Sequence, residues 1–285
     1  MDGAKRVDAE AAPIEGTDSD RTGPGTMSSC GIAVMAKAST PGLTKTRLVP
    51  PLSYDEAASL NTAFLRDVTG NVLLAGRRAA AHAGIAAYAA YGPPGSEAFF
   101  RRSLSPSVGL IAAWLPNFGD CLLKAIREIF ARGHTAAVVL NADSPTLPTA
   151  WLNETAEILA RSGDRGVLGP SSDGGYYLLG LKAAHCRMFE DIDWSTERVA
   201  DQTRERAREI GLDLHLLPEW YDVDDITTLR RLHAELCAAG SPDRSTETPR
   251  RYRARHTASL FNRLWPRGGH ERRICEFENA EAPAA

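Results

Sequence analysis

The sequence lacks the patterns that identify many common functional classes. Its 285 residues contain no apolar run of about 18 residues, so no transmembrane helix is expected. Residues 1–28 lack the apolar stretch of a signal peptide. The five cysteines include no C-x-x-C pair, which argues against a zinc site or a disulfide framework and favours a cytoplasmic location. The motifs G-x-S-x-G, H-E-x-x-H, Walker A and G-x-G-x-x-G are also absent.

The composition is that of an ordinary globular chain. Apolar residues make up 43 % and charged residues 24 % of the sequence. The net charge of −3 gives no general attraction to nucleic acid or to an anionic membrane, so nucleic acid is not an expected partner. Residues 1–28 are polar and acidic and contain many glycines, prolines and aspartates, which predicts a disordered N-terminal tail.

Short, continuously apolar runs alternate with helical patterns in the middle of the chain. One helix is predicted over residues 53–75, where Ser53 and Glu56 have the spacing of a capping box. This alternation predicts one α/β domain over residues 29–240, with a mostly parallel central sheet and helices on both faces. The six predicted strands are 31–36, 85–91, 109–115, 136–142, 166–169 and 212–217.

The C-terminal segment 241–285 is basic. Nine arginines stand against three acidic residues over 241–273. One interpretation is a solvated, partly disordered tail. The other is a segment whose arginines and aromatic residues Tyr252, Phe261 and Trp265 make weak contact with a partner, anionic lipid or RNA.

Charged residues of both signs follow the predicted strands. The first strand leads into loop 37–48, which carries Lys45 and Arg47; the fourth leads to Asp143, and segment 221–229 has three acids in four residues. Ligands of open parallel sheets bind beyond the carboxyl ends of the strands. Cations neutralise phosphate oxygens directly, whereas carboxylates need a bridging Mg²⁺ or Mn²⁺. The pattern therefore predicts a metal–polyphosphate site.

Each of these residues also has a simpler explanation, and the residues alone leave both open. Lys45 and Arg47 could be surface residues that pair with nearby acids. Asp143 could cap a helix that begins near Pro148, and Asp225 fits a helix cap better than a ligand. The pair Gly174-Gly175 could form a turn or let a ligand approach the backbone closely.

Five long strings occur in order along the chain: K-A-x-x-P-G-x-x-K-T-R-L (37–48), A-D-S-P-x-L (142–147), G-P-S-S-D-G-G-Y-Y-L-L-G-L (169–181), D-W-S-T (193–196) and D-V-D-D (222–225). Together they resemble the glycosyltransferase-A-like family associated with arsenosugar biosynthesis and radical-SAM/selenodomain gene clusters. That family is distantly related to 2-phospho-L-lactate guanylyltransferase and to the molybdenum-cofactor guanylyltransferase. The resemblance covers about residues 31–238 and implies a Rossmann-like nucleotide-diphospho-sugar transferase fold.

The resemblance also implies roles for individual residues. The implied nucleotide and phosphate contacts are Lys37, Pro41, Gly42, Lys45, Arg47, Gly119 and Asp120. The implied ligands of Mg²⁺ or Mn²⁺ are Asp143 and Asp224, with Asp222 as a competitor for the second position. The implied substrate contacts are Ser144, Asp173, Gly174, Gly175, Trp194, Ser195 and Thr196. Asp173 as general base and Lys45 as partner of the leaving group would be catalytic.

The function implied first is transfer of a sugar from a nucleotide-sugar to a small acceptor. The alternative is nucleotidyl transfer, in which an NTP and a phosphorylated small molecule are joined and pyrophosphate leaves. Both reactions free a phosphate leaving group, so the residues do not separate them. A nucleotide-binding module without catalysis is the second alternative. Ser39 stands where the family has proline, which predicts a looser phosphate loop.

Overall fold

The computed structural model describes residues 28–79, 83–238 and 249–265. Within these ranges seven strands form one sheet in the order β3-β2-β1-β4-β6-β5-β7. The strands are β1 Ser28–Lys37, β2 Ala83–Gly92, β3 Gly109–Ala112, β4 Ala136–Leu140, β5 Arg165–Pro170, β6 Tyr176–Leu181 and β7 Asp213–Leu216. β1 pairs in parallel with β2 and β4, β2 with β3, and β5 with β7. The predicted mostly parallel sheet is confirmed.

Strand β6 was not among the predicted strands. It runs antiparallel to both of its neighbours, β4 and β5. The turn 171–175 between β5 and β6 is too short for a helical crossover, so the chain must return as a hairpin. Gly174 has a φ of +86°, a conformation that glycine adopts without steric cost.

Helices cover both faces of the sheet. They are α1 Tyr54–Arg78, α2 Glu97–Ser103, α3 Phe118–Ala131, α4 Thr149–Ala160, α5 Val199–Glu209, α6 Ile226–Ala238 and α7 Arg255–Leu264. The predicted capping box is present, since Ser53 Oγ accepts from Glu56 N and Glu56 Oε2 accepts from Ser53 N. Helices α1 and α4 enclose one hydrophobic core and α3 encloses the other. None of the helices in the described ranges is long and apolar enough to span a bilayer.

Residues 249–265 belong to the packed structure, so the expectation of a solvated tail is wrong for this segment. Helix α7 packs on α1 and buries Leu260 and Phe261, and Trp265 directly after it is also buried. The first-turn N–H groups of α7 donate to the Asp67 carboxylate of α1, from His256 N at 3.0 Å and Thr257 N at 2.8 Å. Of the predicted N-terminal tail 1–28, Ser28 belongs to β1 and residues 1–27 lie outside the described residues, as do residues 239–248 and 266–285.

The strand register decides which loops meet. Lys37 at the end of β1 pairs with Gly92 at the end of β2, and Val34 pairs with Leu140 at the end of β4. The antiparallel strand β6 begins at the same edge, where Leu178 pairs with Leu140. The loops after β1 and β4 and the β5–β6 turn therefore share the carboxyl edge of the sheet.

Candidate active site

A pocket of about 270 Å³ opens at this carboxyl edge. Its wall combines the loop after β1 with side chains from α1, from the segment after β4 and from the segment before α6. The lining residues are Lys37, Leu43, Thr44, Lys45, Thr46, Arg47, Asn61, Asp143 and Asp224. Cations and carboxylates predicted from three separate loops thus line one cavity.

Lys45 lies at the centre of the charged cluster. Its Nζ is 2.8 Å from Asp143 Oδ1 and 2.8 Å from Asp224 Oδ1, and it donates to the carbonyl oxygen of Val223 at 2.7 Å. Only 6 % of the Lys45 side chain is exposed, against 30 % for Asp143 and 43 % for Asp224. Lys45 is therefore not a surface residue with an incidental partner, as the simpler interpretation had it.

Two backbone-directed hydrogen bonds bring the two aspartates together. Val223 N donates to the carbonyl oxygen of Asp143 at 2.9 Å, and Ser144 Oγ donates to that of Tyr221 at 2.8 Å. Because Ser144 is only 2 % exposed and its hydroxyl is engaged, it holds the segment 221–224 in place and does not face a substrate. This corrects its expected role as a substrate contact.

The cluster keeps Lys45 charged. Burial alone would lower the pKa of its ammonium, but the charges of Asp143 and Asp224 and their hydrogen bonds outweigh burial and raise the pKa above the ordinary lysine value. The pKa of Asp143 is also raised, first by burial and then by Asp224, while Lys45 acts in the opposite direction. The negative charge of the two aspartates therefore stabilises a cation at the nearly buried position of the Lys45 ammonium.

Asp222 lies beside this cluster and outside the hydrogen bonds to Lys45. Its Oδ1 accepts from Ser171 Oγ at 3.0 Å. Burial, followed by the charges of Asp173 and Asp224, raises the pKa of Asp222 to about 6. The Lys45 ammonium is thus shared by Asp143 and Asp224, whereas Asp222 bonds Ser171 instead.

The first half of loop 37–48, the predicted phosphate loop, is anchored by hydrogen bonds. Lys37 Nζ donates to the carbonyl oxygen of Leu43 at 2.9 Å, and Asn61 Nδ2 donates to Lys37 O at 3.1 Å and to Ser39 Oγ at 2.8 Å. Thr62 Oγ1 also bonds Ser39 Oγ, at 2.8 Å. Ser39 thus ties the loop to α1, so the expected loosening is wrong. Asn61 was missed, although a buried asparagine beside the apolar face of the predicted helix was a usable signal.

The two helix-cap alternatives separate cleanly. Asp225 Oδ1 accepts from Thr228 N at 2.8 Å, so Asp225 caps α6. Asp143 does not cap α4, which begins after Pro148 with no side-chain cap. Exposed Arg47 lies close enough to Asp225 to lower the pKa of its carboxyl, after the hydrogen bonds from Thr228.

The residues expected on the acceptor side form a second group at the same edge. The turn at Gly174 is fixed against the start of α5, because Gly174 O accepts from Ala200 N at 2.9 Å and a Cβ at Gly174 would collide with the Glu197 backbone. Gly175 N donates to Asp173 Oδ1 at 2.9 Å, which orients that exposed carboxylate. The group does not line the 270 Å³ pocket but adjoins it through Asp222.

Trp194 covers the space between this group and α3. Its ring meets the rings of Phe118 at 5.4 Å and Tyr176 at 6.4 Å in edge-to-face geometry. Ser195 adopts a φ of +66°, and Thr196 Oγ1 donates to the carbonyl oxygen of Asp193 at 2.7 Å. The string D-W-S-T therefore builds a local turn that presents an aromatic wall.

Gly119 and Asp120 do not line the pocket, which corrects their expected contact with the nucleotide phosphates there. Gly119 packs against Trp194, and the N–H groups of both residues are taken by Asn117 Oδ1, at 2.7 and 3.4 Å. Asp120 instead borders a larger groove of about 540 Å³ along α3. The groove is lined by the exposed ion pair of Lys124 and Glu128, at 3.4 Å, but not by a buried cation shared between two carboxylates, so its size does not make it the better candidate.

The oxygens around Lys45 also suit a divalent cation. In the described ranges no three acidic, histidine or cysteine side chains are grouped closely enough to bind a metal without further ligands. Two carboxylates and one carbonyl nevertheless converge on a single positive charge. Mg²⁺ prefers such hard oxygens and commonly takes one or two carboxylates, completing its shell with substrate phosphates and water. Asp143, Asp224 and the Val223 carbonyl fit that requirement.

Comparison with known proteins agrees with this architecture. The family DUF2064, described as an uncharacterized protein conserved in bacteria, matches residues 74–196. A Desulfovibrio desulfuricans G20 protein, provisionally named a nucleotide-diphospho-sugar transferase, is 25 % identical, with a TM-score of 0.69 over 88 % of this chain and 99 % of its own. The fold is the nucleotide-diphospho-sugar transferase fold. No curated protein shows significant similarity to the chain.

Other solved structures match at lower similarity. A manganese complex of Rv0371c from Mycobacterium tuberculosis H37Rv is 16 % identical, with a TM-score of 0.41 over 72 % of this chain and 97 % of its own. A cytidylyltransferase from Leptospira borgpetersenii is 11 % identical, with a TM-score of 0.44 over 82 % of this chain and 94 % of its own. Likenesses this remote say nothing about the reaction of this chain.

Proposed function

We propose that the protein is a metal-dependent transferase that takes the sugar from a nucleotide-sugar and passes it to a small acceptor. The observation that carries this proposal is the convergence of Asp143 and Asp224 on one cation, beside Lys37 and Arg47 in the same pocket. The name and similarity of the Desulfovibrio protein support a sugar-nucleotide donor. The narrower resemblance to the arsenosugar-associated family supports the same class of donor.

In this proposal each group has one task. Asp143, Asp224 and the Val223 carbonyl bind Mg²⁺ or Mn²⁺, which when bound stabilises the negative charge of the departing nucleoside diphosphate. Arg47 and Lys37 contact phosphate oxygens at the exposed side of the pocket. Asp173, oriented by Gly175 N, accepts the proton of the acceptor hydroxyl.

Donor binding is tested by thermal denaturation of the full chain with NTPs, nucleoside diphosphates and nucleotide-sugars, each with Mg²⁺, Mn²⁺ or EDTA. A ligand at 100 times its dissociation constant raises the free energy of unfolding by about 2.7 kcal/mol, which raises the melting temperature by roughly 5–10 °C. We expect one nucleotide-sugar and its diphosphate to stabilise the protein only with metal. No metal-dependent shift with any nucleotide would contradict the proposal.

Turnover is tested by release of nucleoside diphosphate from that nucleotide-sugar, with water as the acceptor. We expect Asp143→Asn to lower the rate by about 100-fold or more, because a metal ligand is lost. Asp225→Asn is the matched control: it removes a charge from the same edge and keeps the helix cap, since asparagine caps as well as aspartate. Pyrophosphate release from an NTP and a phosphorylated acceptor would instead identify a nucleotidyltransferase. Binding without either product would identify a binding module.

A further inference from the structure

We propose that Lys45 is an exchangeable counter-ion, whose ammonium occupies the divalent-cation position and leaves it when the cation and the donor phosphates bind. The inference rests on the proposed function, because it assigns the metal to Asp143 and Asp224. It also relates metal binding to donor binding. The metal alone must compete with the Lys45 ammonium for the same oxygens, whereas in the presence of the donor the ammonium binds the donor phosphates instead.

The first observation is that all three N–H donors of the Lys45 ammonium are engaged. A lysine ammonium has three donors, and the three oxygens of Asp143, Asp224 and Val223 lie 2.8, 2.8 and 2.7 Å from Nζ. No donor is left for a phosphate while Lys45 stays there. The expected role of Lys45 as a phosphate contact therefore requires that it first release these oxygens.

The second observation is that the same lone pairs would serve a metal. Two carboxylate oxygens and one carbonyl oxygen are ligands that Mg²⁺ and Mn²⁺ prefer. The ammonium brings one positive charge to two carboxylates, which leaves the cluster with an excess negative charge. A divalent cation neutralises both carboxylates, and the displaced ammonium becomes free to neutralise the donor.

The third observation is the backbone of Lys45 itself. Its φ is 52° and its ψ is 37°, the left-handed region, which is unfavourable for a residue other than glycine. The side chain is nearly buried and its Nζ lies 5.5 Å from the centre of the Phe64 ring. The conformation directs the side chain to Asp143 and Asp224, and Lys45 O also accepts from Leu48 N at 3.0 Å. The exposed residues Thr46 and Arg47 follow Lys45 directly in the chain and line the pocket. A backbone change at Lys45 would therefore also move these two residues.

The nearest destination for the released ammonium is the pocket. Lys45 lines it together with Lys37 and Arg47, and a diphosphate held there supplies new acceptors for Nζ. Donor phosphate and metal therefore increase each other's affinity. The metal displaces the Lys45 ammonium, which the phosphate then binds, and the phosphate stabilises the displaced ammonium, which leaves the carboxylates free for the metal. Such reciprocity is required by linkage between two ligands.

The experiment has two arms. In the first, free Mn²⁺ is followed by electron paramagnetic resonance during titration of the full-length protein without nucleotide. We expect Lys45→Met to bind Mn²⁺ at least about tenfold more tightly than the unaltered protein, because the competing ammonium is gone. A tenfold change in the dissociation constant corresponds to about 1.4 kcal/mol. Lys124→Met, on the exposed face of α3, is the control and leaves the affinity unchanged. Equal or weaker binding by folded Lys45→Met would overturn the inference.

The second arm uses the unaltered protein and does not depend on whether the variant folds. The sequence has only five lysines, so ¹³C-lysine labelling gives a sparse spectrum in which the ε-CH₂ signal of Lys45 is identifiable. We expect this signal to move on titration with Mg²⁺, and further when the nucleoside diphosphate is added. Metal binding that leaves it unmoved would overturn the inference while leaving the transferase proposal intact. Absence of metal binding in both arms would overturn both.

Discussion

Removal of the Asp67 carboxylate should detach the C-terminal helix α7 from α1. Asp67 is buried and accepts three hydrogen bonds, from His256 N at 3.0 Å, Thr257 N at 2.8 Å and Thr257 Oγ1 at 2.7 Å. Because the helix has no side-chain cap of its own, a carboxylate from another helix takes that role. In Asp67→Ala these donors lose their acceptor.

The expected cost follows from which donors water can reach. Thr257 is fully buried, so its N–H is left unsatisfied at about 1–3 kcal/mol, whereas His256 is exposed and its N–H regains water. The buried Thr257 hydroxyl also loses its acceptor, at about 1 kcal/mol. We therefore expect Asp67→Ala to lower the free energy of unfolding by about 2–4 kcal/mol, and Asp67→Asn, which keeps one acceptor oxygen, by about half as much.

Equilibrium unfolding in urea, followed by far-UV circular dichroism, measures this change. Asp213→Ala is the control, because its side chain is 75 % exposed and its only described ion pair, with Arg165, spans 3.8 Å. We expect the control to stay within about 0.5 kcal/mol of the unaltered protein. If Asp67→Ala unfolds at the same urea concentration as the control, the carboxylate does not hold α7 and the reasoning is refuted.

Two further predictions concern stability. His134 is hydrogen-bonded to Tyr88 Oη and Ser29 Oγ, and burial, then Arg132, lowers its pKa. A lowered folded-state pKa stabilises the protein above the ordinary histidine pKa of about 6.5, and that contribution is lost as the pH falls through the lowered value. When the pH is lowered from 7.5 to 5, the melting temperature should therefore fall further for the unaltered protein than for His134→Asn. Equal decreases would contradict this. Gly174→Ala should lower the free energy of unfolding by about 2 kcal/mol or more, because it combines a φ of +86° with a collision against backbone. Gly42→Ala is the control, since Gly42 has open space around it. Equal melting temperatures for the two variants would show that the turn at Gly174 can adjust to a side chain.

The sequence by itself determined the features that depend on near neighbours. The capping box of Ser53 and Glu56 and the cap of Asp225 join residues three positions apart, so local spacing was enough to predict them. The alternation of apolar runs and helical patterns predicted a mostly parallel sheet, because parallel strands need crossovers. The rule that ligands bind at the carboxyl edge then indicated which loops would meet.

Tertiary structure alone decided how those loops meet. Lys45 lies 179 positions before Asp224, and Asp67 lies 190 positions before Thr257, so no local pattern could pair them. The same distance effect explains the misplaced residues: Ser144 turned toward the buried Tyr221 carbonyl, and Gly119 packed against Trp194. Which polar atoms are free for a ligand depends on which ones the folded chain has already satisfied, and only long-range packing decides that.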